Sequence, residues 1–123
     1  MESNSKMKKI YYLKTCDTCK RILKQIKNID EFQLQDIKEE DITVKQVEEM
    51  YALTDSYETL FSKRAKLYKE MGLKDENLTE ADFKRYILEH YTFLARPVII
   101  YNDQIFVGNS PKTIEAMLQK VNN

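Results

Sequence analysis

Two cysteines lie three positions apart in this chain, and they are its only cysteines. Cys16 follows the apolar run 10–13, which predicts a strand. Cys19 precedes apolar residues at helical spacing, namely Ile22, Leu23 and Ile26. The pair therefore brackets the start of a helix, where unpaired backbone N–H groups and the helix dipole favour a thiolate over a thiol. This placement predicts a nucleophilic sulfur and thiol redox chemistry.

Metal binding and simple burial are the alternative explanations of the cysteine pair. A structural zinc site needs four ligands, whereas the chain has one histidine and no third cysteine to add to the pair. Free cysteines also serve as small hydrophobic core residues. We favour redox chemistry, with no bound metal or cofactor, over these two alternatives.

The composition is that of a globular, helix-rich protein. Hydrophobic residues make up 42% of the 123 positions and charged residues 33%, with only 2 glycines and 2 prolines. Twenty basic residues balance twenty acidic ones, so no net field draws the chain to nucleic acid or to a membrane. The polar segment 1–9 lacks the apolar core of a secretory signal, and no run could span a bilayer. We expect a cytoplasmic protein that binds neither nucleic acid nor membrane.

Residues 8–37 and 97–121 predict the elements of a sheet. The first range indicates a strand, a helix and a second strand. In the second range, the β-branched run 98–101 predicts a buried central strand, and a tight Asn-Asp turn then permits an antiparallel return strand. Ser110 before Pro111 marks the start of a last helix.

The intervening range 43–94 is predicted to be a helical insertion. Thr43 and Thr79 each begin a capping box, which indicates a helix start. Between them one further helix is predicted to end at Gly72. Its apolar face contains Leu60, Phe61, Ala65 and Tyr68.

This order of elements predicts an α/β thioredoxin-like fold, a mixed four-stranded sheet flanked by helices. We interpret residues 1–123 as a single domain of this type, with the insertion at about 43–94. Pro97 before the third strand agrees with this fold, because a cis X-Pro bond can form a tight turn there and pack against the cysteines. The sequence alone leaves the isomer open.

Two segments resemble a known family. Residues 14–21 read Lys-Thr-Cys-Asp-Thr-Cys-Lys-Arg, and residues 94–100 read Leu-Ala-Arg-Pro-Val-Ile-Ile. Together they are similar to the glutaredoxin-coupled arsenate reductases and the related Spx regulators, over nearly the whole chain. The resemblance implies a thiol-dependent oxidoreductase whose reductant is external, either glutathione with glutaredoxin or thioredoxin.

The resemblance also implies roles for individual residues. Cys16 corresponds to the nucleophile that attacks an oxyanion or a disulfide, and Cys19 is placed to resolve the adduct. Arg96 corresponds to an arginine that holds the oxyanion through paired hydrogen bonds. Further substrate contacts are expected from Thr15, Arg64 and Pro97.

The chain departs from the reductase pattern at two positions. Ser62 stands where the reductases have an earlier arginine, and no cation follows the hairpin at 107–109. The Ser-Lys-Arg segment that Ser62 begins, like the paired cysteines, is closer to the Spx branch. The alternative function is therefore a redox switch of the Spx kind, with the α subunit of RNA polymerase as partner.

Other charged residues have simpler explanations. Lys63 and Arg64 fall within the middle helix predicted for the insertion, where Lys63 is expected on a solvated face. His90 continues an apolar run, so it is predicted to be a hydrogen-bonded core or boundary residue rather than a catalytic base. Lys14 and Arg21 flank the cysteines and either raise the local positive potential or simply point to solvent.

Overall fold

The computed structural model describes residues 7–123. Residues 1–6 lie outside the described residues. They belong to the segment 1–9, in which the sequence predicts no secretory signal. The chain divides into two compact units. We call Met1–Glu40 with Arg96–Asn123 the sheet unit, and Asp41–Ala95 the helical unit. That the whole chain is a single domain stays a prediction.

The main elements follow the predicted order of strand-helix-strand, helices, and strand-strand-helix. They are β1 (Lys8–Tyr12), α1 (Asp17–Lys24), β2 (Gln33–Asp36), α2 (Val44–Thr54), α3 (Tyr57–Leu60), α4 (Lys66–Glu70), α5 (Glu80–Glu89), β3 (Val98–Tyr101), β4 (Gln104–Val107) and α6 (Pro111–Val121). Short 3-10 helices lie at Ile29–Glu31, Leu73–Asp75 and Tyr91–Phe93. Within the described residues, no helix is long and apolar enough to span a membrane.

The sheet has the strand order β2-β1-β3-β4. β1 runs parallel to β2 and antiparallel to β3, which is in turn antiparallel to β4. A parallel pair needs a crossover connection, and α1 supplies it between β1 and β2. The predicted mixed four-stranded sheet flanked by helices is confirmed.

β3 is a central strand, as its sequence predicts. Its first three residues, Val98, Ile99 and Ile100, are at most 1% exposed, as expected of an apolar run covered on both faces. Asn102 then adopts a positive φ of 60° in the turn to β4. Asparagine tolerates this conformation, which two-residue hairpin turns require.

Two helices of the sheet unit pack on one face of its sheet. Ile10 and Ile99 lie opposite each other on β1 and β3. They form one buried cluster with Ile22, Ile26, Phe32, Met117 and Val121. The apolar faces predicted for α1 and α6 therefore meet over the same face of the sheet.

Three helix starts marked in the sequence are confirmed. The Thr43 hydroxyl accepts a hydrogen bond from the Gln46 backbone N–H at 3.1 Å, and the Gln46 side chain accepts one from the Thr43 N–H at 3.1 Å. Thr79 and Asp82 form the same reciprocal box at the start of α5. Ser110 caps α6, with proline in the first turn.

The single helix predicted between the two capping boxes is wrong. The chain forms α3 and α4 there, separated by an extended residue and a turn. Phe61 is extended, with φ −89° and ψ 135°, and makes an antiparallel bridge with Leu94. The backbone N–H of Ser62 donates to the carbonyl of Phe93 at 2.8 Å. These tertiary contacts outweigh the helical spacing of the apolar residues, although Gly72, with φ 67°, ends α4 as predicted.

The break between α3 and α4 changes the position of two cations. Lys63 and Arg64 lie on the exposed turn instead of a helix face, and Lys63 pairs with Glu58 at 2.6 Å. The prediction for His90 is right about its hydrogen bonding and wrong about its burial. Its Nδ1 accepts a hydrogen bond from the Thr92 N–H at 3.1 Å, but the residue is exposed at the C-cap of α5.

Candidate thiol site

Cys16 is the N-cap residue of α1, with an extended backbone at φ −96° and ψ 112°. Its N–H donates to the carbonyl of Leu13 at 3.1 Å, which closes a turn over Lys14 and Thr15. Its carbonyl accepts the first helical hydrogen bond, from Lys20, at 3.1 Å. An N-cap side chain usually accepts a hydrogen bond from the first-turn N–H groups, and the Cys16 thiol does not. The sulfur thus occupies the positive end of the helix with no cap hydrogen bond of its own.

Cys19 lies in the first turn of α1 and is 0% exposed, whereas Cys16 is half-buried. Both are free thiols. Burial raises the pKa of Cys19 from its ordinary value of 9.0 to about 11, partly opposed by a hydrogen bond with the Leu13 backbone. A hydrogen bond with the Cys16 thiol raises that pKa further. The two thiols therefore lie close together, with Cys19 protonated near neutral pH and Cys16 partly accessible from solvent.

Arg96 and Pro97 precede β3 in the same unit as the cysteines. The peptide bond between them is cis, the isomer that the sequence left open. The Pro97 carbonyl accepts a hydrogen bond from the Gly108 N–H at 2.9 Å, which ties this loop to the end of β4. The positive charge of the half-buried Arg96 lowers the pKa of Cys19, a smaller influence than burial but one that requires proximity. A cation therefore lies near the thiol pair.

The remaining predicted site residues divide between the two units. Thr15 is exposed on the turn that leads into Cys16. Arg64 is exposed in the helical unit, on the turn before α4. The sheet unit thus brings together four of the predicted residues, Cys16, Cys19, Arg96 and Pro97, with Thr15 on the adjoining turn. A substrate contact from Arg64 stays a prediction.

An ion pair beside the cysteines was missed in the sequence. Lys14 Nζ lies 3.3 Å from Glu39 Oε1, although the two residues are far apart along the chain. The available signal was topological, because the ends of two adjacent parallel strands meet at the same edge of a sheet. Lys14 follows β1 and Glu39 follows β2.

The chemistry open to this arrangement is that of a dithiol. Among residues 7–123, no cluster of three or more histidine, cysteine, aspartate or glutamate side chains is arranged to hold a metal ion. An accessible thiol close to a buried one can attack a substrate, and the second thiol can then displace the adduct as a disulfide forms.

Sequence comparison identifies relatives of two kinds. An arsenate reductase from Neisseria meningitidis serogroup A is 40% identical over 52 residues, 42% of this chain and 44% of the relative. The global transcriptional regulator Spx 2 of Bacillus anthracis is 22% identical over 113 residues, 90% of this chain and 86% of the relative. The chain thus spans less than half the length of the Neisseria reductase that it matches.

Solved structures share the fold. An ArsC family related protein from Bacteroides fragilis superposes with a TM-score of 0.74 and 19% identity, covering 92% of this chain and 98% of that one. An arsenate reductase from Vibrio cholerae gives 0.73 and 21%, covering 89% and 98%. These likenesses establish the thioredoxin-like architecture.

Membership of a family is shown by a sequence match that includes both the cysteine segment and the cis-proline segment. Residues 11–117 match the sequence profile of the ArsC family, which covers most of the chain. With the fold and the arrangement of Cys16, Cys19 and Arg96, this match leads to one conclusion. The chain belongs to the ArsC family.

Proposed function

We propose that the protein is a thiol-dependent oxidoreductase in which Cys16 attacks an oxyanion or a disulfide and Cys19 resolves the adduct. The observation that carries the proposal is the placement of an accessible thiol at the N-cap of α1 close to a fully buried thiol one turn further on. This asymmetry supports different roles for the two sulfurs, because the accessible one can reach a substrate and the buried one can reach only its neighbour.

With arsenate as the oxyanion, the Cys16 thiolate forms an S–As bond, and an oxygen of arsenate leaves as water after protonation. The Cys19 sulfur then attacks the Cys16 sulfur, and the electron pair of the S–As bond passes to arsenic. Arsenic(V) becomes arsenic(III) while the two thiols become a disulfide. In sum, one arsenate and two thiols give one arsenite, one disulfide and one water.

With a disulfide as substrate, Cys16 forms a mixed disulfide and the first thiol of the substrate leaves. Cys19 then attacks the Cys16 sulfur and releases the second thiol. Both reactions end with a Cys16–Cys19 disulfide. We propose that glutathione with glutaredoxin, or thioredoxin, reduces it and returns both thiols.

Arg96 has the proposed role of holding the substrate anion. A guanidinium stays charged at all relevant pH values and offers paired hydrogen bonds to an oxyanion. Its charge acts on the thiol pair, which supports this role. We expect Thr15 and Pro97 to contribute contacts from the adjoining turn and loop.

The test is oxidation of NADPH coupled through glutathione and glutaredoxin, or through thioredoxin, with arsenate as the offered substrate. Cys16→Ser should lose turnover with either reductant, whereas Cys19→Ser should lose it with thioredoxin and keep part of it when glutathione can resolve the Cys16 adduct. Unchanged turnover in Cys16→Ser would contradict the assignment of the nucleophile.

Arg96→Gln tests the anion contact in the same assay. Removing one charge-assisted partner should raise KM by about tenfold to a hundredfold, as expected for a hydrogen bond to a charged group. Arg21→Gln is the matched control, since Arg21 is an exposed arginine on α1. Equal effects of the two substitutions would argue against a specific contact from Arg96.

A second candidate function, a redox switch that binds RNA polymerase, is favoured by one observation. The match to the Spx regulator of Bacillus anthracis extends over 90% of this chain, further than the match to the Neisseria reductase. Capture of purified polymerase α subunit by the oxidised and the reduced protein tests this candidate. Binding in one redox state would support it, and absence of binding in both would contradict it.

A further inference from the structure

The turn that carries Cys16 lies beside an acidic turn. β1 and β2 are parallel, with Tyr12 paired to Asp36 at their carboxyl ends. The chain therefore leaves both strands at the same edge of the sheet. The turn over Lys14 that leads into Cys16 follows β1, and the turn that carries Glu39 follows β2.

The acidic turn is held in place by its own hydrogen bonds. The Asp36 carbonyl accepts hydrogen bonds from the N–H groups of Glu39 at 3.1 Å and Glu40 at 2.9 Å. The Asp36 carboxylate accepts another from the Lys38 N–H at 3.0 Å. The backbone of Glu39 is thus fixed, and its carboxylate reaches Lys14 Nζ at 3.3 Å.

The ion pair between Lys14 and Glu39 is weak, so another anion can replace Glu39 as the partner of Lys14. Their side chains are 58% and 66% exposed, and exposed pairs of this kind contribute little to stability. Hydrogen bonding to Glu39 raises the pKa of Lys14, so this ammonium is charged near neutral pH. The Glu39 carboxylate pairs with Lys14 through negatively charged oxygen atoms. A substrate anion that approaches Cys16 can pair with the Lys14 ammonium in the same way.

We infer that Glu39 is a specificity-determining residue that occupies Lys14 and so lowers the affinity of the Cys16 site for anionic substrates. Lys14, when Glu39 is displaced, binds an anionic group of the molecule that reacts with Cys16. This inference rests on the proposed function only in taking Cys16 as the reacting sulfur. It adds that Lys14 contacts the anionic group of the substrate and that Glu39 sets the strength of that contact.

The test compares two electrophiles that differ in charge, iodoacetate and iodoacetamide. Each forms one S–C bond with the Cys16 thiolate and releases iodide. In a Cys19→Ala background, the rate ratio of iodoacetate to iodoacetamide measures how strongly the site attracts an anion, without any need for turnover. Intact mass and peptide mapping assign the alkylated sulfur.

Glu39→Gln should raise this ratio by about two- to fivefold, the effect of an exposed ion pair, and Lys14→Gln should lower it. In the Lys14→Gln protein, adding Glu39→Gln should change nothing further, because the anion contact is already lost. Glu40→Gln is the matched control, since it removes the same charge from the same exposed turn. Raising the salt concentration should shrink the effect of Glu39→Gln.

Two results would contradict the inference while leaving Cys16 as the reacting thiol. One is a ratio that Glu39→Gln leaves unchanged, and the other is an equal rise in Glu40→Gln or in the protein that lacks Lys14. A different result, failure of Cys16 to react with either electrophile in every variant, would contradict the inference and the proposed function together.

Discussion

Cys16 and Cys19 belong to the same helical turn, yet their surroundings differ. Cys16 takes the N-cap position and is half-buried, while Cys19 points into the protein and is 0% exposed. Burial raises the pKa of Cys19 to about 11. At the scale of the residue, this difference supports the proposed division of labour, because a buried protonated thiol is a poor first nucleophile.

The raised pKa of Cys19 predicts a pH dependence of stability. Below about pH 9 both the folded and the unfolded chain keep this proton. Between pH 9 and 11 the unfolded chain releases it while the folded protein retains it, so stability falls as pH rises. The loss should amount to about 2–3 kcal/mol, at about 1.4 kcal/mol for each pH unit.

Urea unfolding at a series of pH values measures this loss, with Cys19→Ala as the comparison. Both proteins carry Cys16→Ala, because the Cys16 thiol interacts with Cys19 and its own titration would otherwise change with the substitution. The remaining ionisable groups titrate in both proteins, so the difference between the two curves isolates Cys19. We expect the curves to converge between pH 9 and 11. Parallel curves over this range would show that Cys19 has an ordinary pKa in the folded protein.

At the scale of the element, the local sequence was sufficient where the deciding contacts join residues close together along the chain. Capping boxes at Thr43 and Thr79 and the cap at Ser110 gave correct helix starts, because a hydroxyl and an N–H three residues later define each one. The position of the cysteines at the start of α1 was equally predictable, since apolar residues recur at one spacing in the strand and at another in the helix.

Local signals failed where a distant segment of the chain competed for the backbone. The apolar residues around Phe61 have helical spacing, yet Phe61 pairs with Leu94 and stacks on Phe93 with ring centroids 5.2 Å apart. Glu39 was missed for the same physical reason, because its partner Lys14 lies on the neighbouring strand end. Local sequence patterns give no measure of contacts between segments so far apart.

The capping box of α2 allows an element-scale prediction. Thr43→Ala should lower the free energy of unfolding by about 1 kcal/mol, since it removes the acceptor of the Gln46 N–H hydrogen bond. Urea unfolding followed by circular dichroism measures the change. Lys45→Ala, an exposed substitution in the same helix, should change stability by less than about 0.5 kcal/mol. Equal losses in the two variants would contradict the contribution of the cap.

At the scale of the whole molecule, the charges balance, so recognition of an anion depends on individual side chains near the site. Twenty basic and twenty acidic residues give no net charge at neutral pH, so long-range attraction cannot select an anion. In our proposals the selection depends on Arg96 beside the thiols and on Lys14 with its competitor Glu39. The proposed reductase mechanism and the regulator function both include a Cys16–Cys19 disulfide, which makes formation of that bond the central claim.

The most direct test of this claim is the stoichiometry of the reaction with a chromogenic aromatic disulfide. The reduced wild type should release two coloured thiolates per chain and keep no adduct, because Cys19 displaces the mixed disulfide at Cys16. Cys19→Ala should release one thiolate and retain the adduct on Cys16. A wild-type protein that keeps the adduct, or a Cys16→Ser protein that reacts as fast as the wild type, would contradict the account.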